Sequence, residues 1–257
     1  ESIIPANAKR FPLITAKVVA TNLVIDSGAV VTIAQGYTLT VNSKLTNNGT
    51  LNVLQKASLL PGKGYEQTGK GTYNIHRKIS SNDTTDYALW SAPVKIVKAL
   101  VLPGKINHKY KFKPGGNSSS DFINLNNSDT LKVGIGYRAN NDTSTIIING
   151  NANNGNLYAI VKFDTAQRIF NLLANPYPGA LNAAKFLDKN SQVLDRVIYV
   201  KLPKNKSNKF SADELVTIND FGASGNGIND TTLTLTTAEI GAATGFFTVS
   251  LKSDTAR

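Results

Sequence analysis

Between residues 23 and 59 the apolar side chains fall in pairs one residue apart: Leu23/Ile25, Val31/Ile33, Leu39/Val41 and Leu51/Val53, with Leu45 and Leu59 between them. Their starts, at 23, 31, 39, 45, 51 and 59, are six or eight residues apart. Pairs at i and i+2 have the side-chain period of a strand, and the interval leaves no room for a helix. Ser27-Gly28, Gln35-Gly36 and Asn47-Asn48-Gly49 punctuate the pattern as turns. Short, evenly spaced strands stack as the coils of a β-solenoid, each burying its apolar face on the next. An antiparallel meander shows the same alternation, so at this level both arrangements remain open.

The rest of the chain also reads as strands and turns. It holds 29 Asn, 24 Thr and 20 Gly in 257 residues, and long helical periodicity is missing. The rhythm changes near Thr72, and a polar stretch over 79–87 predicts a junction there. We therefore expect an all-β chain, with a solenoid-like repeat and N-terminal arm or cap over 1–78 and an antiparallel β-sandwich over 79–257. Strand candidates are 87–90, 93–97, 108–112, 132–138, 144–149, 156–163, 168–173, 196–202, 232–236 and 245–251. Two short helices are predicted: 180–188, and a turn begun by Ser211. The stretches 114–130, 139–143, 203–209 and 220–230 read as surface loops.

Composition excludes several chemistries. Without Cys there is no disulfide and no thiolate nucleophile, and no apolar run reaches the roughly 20 residues that span a bilayer. Without Met, a chain beginning at Glu1 is expected to be a processed piece of a longer product. The stretch 64–71 lacks the Ser or Thr that a phosphate-binding loop needs after Lys70, and reads as a hairpin turn. Asp220-Phe221-Gly222 stands alone, without the other parts of a kinase. The loop 220–230 has oxygen donors but not the spacing of a calcium loop, so an Asx turn is the reading there, and Asp83 with Asp86 offers no more. His76 and His108 have no second His at metal-ligand spacing, and no particular pair of carboxylates stands out for glycoside hydrolysis. No metal, cofactor or catalytic residue is therefore predicted, and the protein is expected not to be an enzyme.

The net charge of +11 points to an anionic partner. Around His108 basic and aromatic residues alternate, so a strand would show Lys105, Asn107, Lys109, Lys111 and Lys113 on one face. The other face would carry Ile106, His108, Tyr110 and Phe112. This is either a half-buried strand with a solvated lysine face or a patch for acidic polysaccharide or extracellular DNA. In Asn175-Pro176-Tyr177-Pro178 the prolines stiffen a turn and Tyr177 reads as a packing anchor.

Several segments resemble, in order, a module of large secreted and cell-surface proteins of Bacteroidetes. They are Trp90-Ser91-Ala92-Pro93-Val94, Gly134-Ile135-Gly136-Tyr137, Asn149-Gly150-Asn151-Ala152-Asn153-Asn154-Gly155, Asn171-Leu172-Leu173-Ala174-Asn175-Pro176-Tyr177-Pro178-Gly179-Ala180-Leu181 and Gly245-Phe246-Phe247. The 21–60 repeat resembles the solenoid that often precedes that module. The resemblance implies a solenoid followed by a sandwich, export through the outer membrane by the type IX route, and an extracellular or cell-surface location. It implies no catalytic residues. It also implies glycosylation at Asp-Thr-x sites, with Thr84, Thr130, Thr165, Thr231 and Thr255 as candidates. The expected function is a structural or adhesive surface protein that self-associates, as oligomer or filament, through its solenoid ends and an arm at 1–20. The alternative is a module binding glycans or other anionic polymers, through the basic strand and the loop 203–209.

Overall fold

The computed structural model describes residues 1–256 apart from 63, 79–86, 105–107, 115–120, 141–144, 167–168, 202–214 and 226–227. The chain is mostly strand, with a β-solenoid of about three turns followed by antiparallel sheets. The solenoid is built from β1 (Ser2–Ile4), β2 (Leu13–Ile14), β3 (Val18–Ile25), β4 (Val30–Ile33), β5 (Thr38–Asn47), β6 (Thr50–Val53), β7 (Ser58–Pro61), β8 (Glu66–Thr68) and β9 (Thr72–Arg77). All pair in parallel: β1 on β3, and β3 on β5, which pairs with both β7 and β8. A second parallel stack runs β2, β4, β6, β9. One coil advances the chain from Leu13 to Thr32, or from Thr50 to Thr72. The meander is thereby excluded.

Register explains why the pairs are spaced as they are. Ile14, Ile33, Val53 and Ile75 form one inward column, and Val31, Leu51 and Tyr73 another. Every residue of the apolar pairs is buried. The corners are as constrained as the columns. Asn47, fully buried, accepts from the Gly49 amide at 3.1 Å and donates to the Thr72 carbonyl at 3.2 Å. Outside, Thr32, Asn52 and Asn74 hydrogen-bond from coil to coil.

The two ends of the solenoid differ. At the far end, strand Ile146–Gly150 pairs antiparallel with β9 and lays Ile148 opposite Ile75. Leu59 of β7 donates its amide to Pro178, and Gln67 of β8 donates its side-chain amide to the Ala152 carbonyl. At the near end, β1 and β2 each pair on one side only.

The second half is a sandwich. One sheet has the order Tyr87–Trp90, Tyr137–Asn140, Lys109–Phe112, Phe122–Asn124, antiparallel throughout. The other has the order Phe170–Ala174, Gly245–Val249, Ile198–Lys201, Leu215–Asn219, Gly222–Gly225, Ile228–Asp230. Tyr87, Leu89, Phe112, Phe122, Leu172 and Phe247 fill the space between them. Phe246, one residue along, points the other way, into a core with helix α1 (Ala183–Lys189). Both faces of that sheet are thus covered, which is why Gly245–Val249 is buried at every position.

The two halves share a core where they meet. In Tyr87–Trp90, Tyr87 and Leu89 face the sandwich, while Ala88 and Trp90 belong to the core that runs through the solenoid. Several expected elements differ. Residues 232–236 make a turn rather than a strand, because Asp230 accepts from the Thr232 and Leu233 amides. Within 220–230, expected as a loop, Gly222–Gly225 and Ile228–Asp230 pair as strands, and Phe122–Asn124 is a strand inside the expected loop 114–130. Helix α1 starts at Ala183 because Asn182 caps it, accepting from the Lys185 amide at 2.9 Å. The helix expected at Ser211 and the loop 203–209 lie outside the described residues.

Candidate functional site

The start of the chain, expected as an arm or cap, carries two short strands laid on the first full coil. β1 and β2 are rungs, in register with Leu23–Ile25 and with Thr32 and Ile33. Ile4 and Ile14 give their carbonyls to the next coil, accepting from the Asp26 and Ala34 amides at 3.0 Å. Backbone groups alternate in direction along a strand, so the peptide groups of Ile3 and Leu13 face the open side. Of the fifteen exposed large apolar side chains among the described residues, five fall within residues 3–19: Ile3, Phe11, Leu13, Val18 and Val19. Ile3 and Leu13 are 57% and 60% exposed, too much for strands that end a sheet quietly. Lys9, Arg10 and Lys17, all exposed, lie in the same stretch of sequence.

The basic row is shorter than expected. Lys109 is buried: its ammonium donates to the Leu100 carbonyl at 3.2 Å and to Asn127 Oδ1 at 3.1 Å. Burial holds its pKa below the usual lysine value. The alternation itself is right, since Tyr110 and Phe112 take the opposite face. The turn Ala99–Val101 covers the lysine face at this point, which no local pattern announces. Lys111 and Lys113 are exposed, and Lys105 lies outside the described residues.

The decoys resolve into solenoid geometry. The stretch 64–71 is not a hairpin turn: β8 and β9, on either side of Gly69 and Lys70, belong to different parallel stacks. Gly69 and Gly71 serve close approach between coils: a Cβ on Gly71 would meet the Gly49 carbonyl oxygen at 2.4 Å. Asp220 pairs with Arg196, which also holds Asp188, and these bonds raise the Arg196 pKa. Among the described residues no three His, Asp or Glu come together to hold a metal ion. Nor is any helix long and apolar enough to cross a membrane. Of the modification candidates, Thr130, Thr165, Thr231 and Thr255 are exposed, while Thr84 lies outside the described residues. The Thr130 hydroxyl accepts from Lys98 at 2.7 Å.

The turn at Asn175-Pro176-Tyr177-Pro178 is tied down by Asn175. Its fully buried side-chain amide donates to the carbonyls of Gly179 (2.7 Å), Ile240 (2.7 Å) and Gly241 (3.1 Å), and its Oδ1 accepts from the Tyr177 amide. Pro178 then presents its carbonyl to β7. Asn175→Ala leaves three carbonyls without this donor and should cost about 2–3 kcal/mol. Differential scanning calorimetry should show a midpoint lowered by about 6 °C.

Two features had no part in the sequence reading. Arg77 is buried at the seam, donating to the Leu89 and Ala243 carbonyls with its guanidinium carbon 4.1 Å from the Trp90 ring centre. The strand period did point to it, since Tyr73, Ile75 and Arg77 share the inward face of β9. The second is a hollow of about 240 Å3 beside α1, lined by Leu173, Pro176, Tyr177, Leu181 and Phe186 among others. Its walls come from segments far apart in the chain, and nothing local marks it.

No curated protein and no solved structure matches the chain. One family model matches residues 1–257, across the junction at 78/79 without interruption. The chain belongs to the family described as Domain of unknown function (DUF8693).

Proposed function

We propose that this is a non-enzymatic, extracellular structural or adhesive surface protein that associates with a second copy of itself through the open end of its solenoid. The observation that carries the reading is the contrast between the ends. At one end Ile146–Gly150 pairs with β9, and Pro178 and Ala152 accept hydrogen bonds from β7 and β8; at the other, β1 and β2 pair on one side only, and Ile3, Phe11, Leu13, Val18 and Val19 of these first strands and their connection are exposed. Such an edge is a template for another strand. The likeness to secreted modules supports the extracellular placement.

The covered end changes the expected geometry. With Ile146–Gly150 laid over β9, the reading favours pairing of the β1/β2 ends about a two-fold axis, which closes, over head-to-tail stacking into a filament. The product is a dimer. Its interface brings the Lys9, Arg10 and Lys17 groups of both copies together, so raising the salt should strengthen association by screening them. Binding of an anionic polymer would weaken with salt instead.

Sedimentation velocity across protein and salt concentrations tests this. We expect a monomer–dimer equilibrium, tighter at high salt, and weakened at least about tenfold in Ile3→Lys/Leu13→Lys. Both positions are exposed, so the double variant should fold. A monomer at every concentration, or a dimer indifferent to the two lysines, would contradict the reading.

A further inference from the structure

We infer that the hollow beside α1 is a binding site for a small amphiphilic anion, a carboxylate carried on an apolar body. The hollow exists because small residues face each other where larger ones would close it. Ala159 and Ala256 pair across the short sheet Ala159–Val161/Asp254–Ala256, and Gly134 and Ala174 complete that wall. A Cβ on Gly134 would already reach the Ala159 Cβ at 3.0 Å. Leu173, Pro176, Leu181 and Phe186 make the remaining surface apolar. A mostly apolar hollow favours a guest with an apolar body. Its 240 Å3 is about eight times the ~30 Å3 that one water occupies in the liquid, room for a medium-length acyl chain or a single aromatic ring.

The charge at its edge selects the head group. Lys185 and Lys189, one turn apart on α1, are both exposed and both line the hollow, whereas no Asp or Glu does. Asp188, which lies between them in sequence, is held by Arg196. An ammonium pair at the mouth of an apolar hollow is complementary to a carboxylate whose tail enters it. Tyr177 and Asn156 form part of the wall and also line a second hollow of about 370 Å3 against β7.

The test is titration of the isotopically labelled protein with octanoate, 3-phenylpropionate, 1-octanol and octylammonium, followed by amide chemical shifts. We expect saturable shifts at Tyr177 and Lys185–Lys189 with one or both carboxylates. An acyl site prefers octanoate and an aryl site 3-phenylpropionate. Lys185→Glu/Lys189→Glu should weaken carboxylate binding at least tenfold and leave 1-octanol unchanged, whereas Ala159→Leu should abolish both. The lysines are exposed, so the reversal tests the proposal even if the Ala159 variant fails to fold. Absence of saturable shifts up to millimolar ligand, equal binding of octanoate and octylammonium, or indifference to the charge reversal would overturn it.

Discussion

Arg77→Ala should lower the unfolding midpoint by about 10 °C, in one transition, and shift the emission of the single tryptophan to the red. Arg77 ends the last solenoid strand, yet its hydrogen bonds reach Leu89 in the sandwich sheet and Ala243 beyond it, and its cation lies over Trp90. Removing the guanidinium leaves two buried carbonyls without these donors, deletes a desolvated cation–π contact and opens a void. Together these cost about 3–5 kcal/mol, or roughly 10 °C for a chain of this size. Trp90 is 1% exposed, so any loosening of the seam becomes visible as red-shifted emission and iodide quenching. Arg77→Lys keeps the charge but not the planar fork, and should fall between the two. An unchanged midpoint, or a split into separate solenoid and sandwich transitions, would show that the seam does not couple the halves.

Gly69→Ala is the second large effect, and Gly64→Ala is its control. Both glycines have left-handed backbones, with φ of +96° and +82°. At Gly64 an added Cβ meets nothing within 4 Å, so alanine there costs the conformational penalty alone, about 1–2 kcal/mol. At Gly69 the Cβ would lie 2.1 Å from the Asn47 carbonyl oxygen, against backbone of the preceding coil. Backbone held in a ladder cannot yield as a side-chain tip can. We expect Gly69→Ala to cost at least about 2 kcal/mol more than Gly64→Ala, measured by urea unfolding. Equal costs would mean that the coils do not approach this closely.

The solenoid was legible because its information is local and repeated. Leu23/Ile25 through Leu51/Val53 alternate, recur and meet in register, so the pattern and the core coincide. What the chain hides is what distant segments do to each other. β1 and β2 are two or three residues long, too short to show alternation, and only pairing with β3 and β4 makes them rungs. The strand that closes the far end begins at Ile146, well outside the repeat. Lys109 alternates as expected and is buried all the same, because Leu100 and Asn127 lie over it. Of the turn at 175–178, the prolines could be read directly, but Asn175's three carbonyl partners could not. The hollow beside α1 is the extreme case, since small residues in four separate segments define it by what they leave empty.

Hydrogen exchange as a function of protein concentration tests the open-end account most directly. In dilute solution the amides of β9 should be protected, lying as they do between β6 and Ile146–Gly150, while those of Ile3 and Leu13, which face the open side, exchange rapidly. As concentration rises, protection should appear at β1 and β2 and at no other strand, and raising the salt should bring it in earlier. Concentration-independent exchange at residues 2–4 and 13–14, or new protection confined to some other face, would contradict the claim that this end is where the protein meets a second copy.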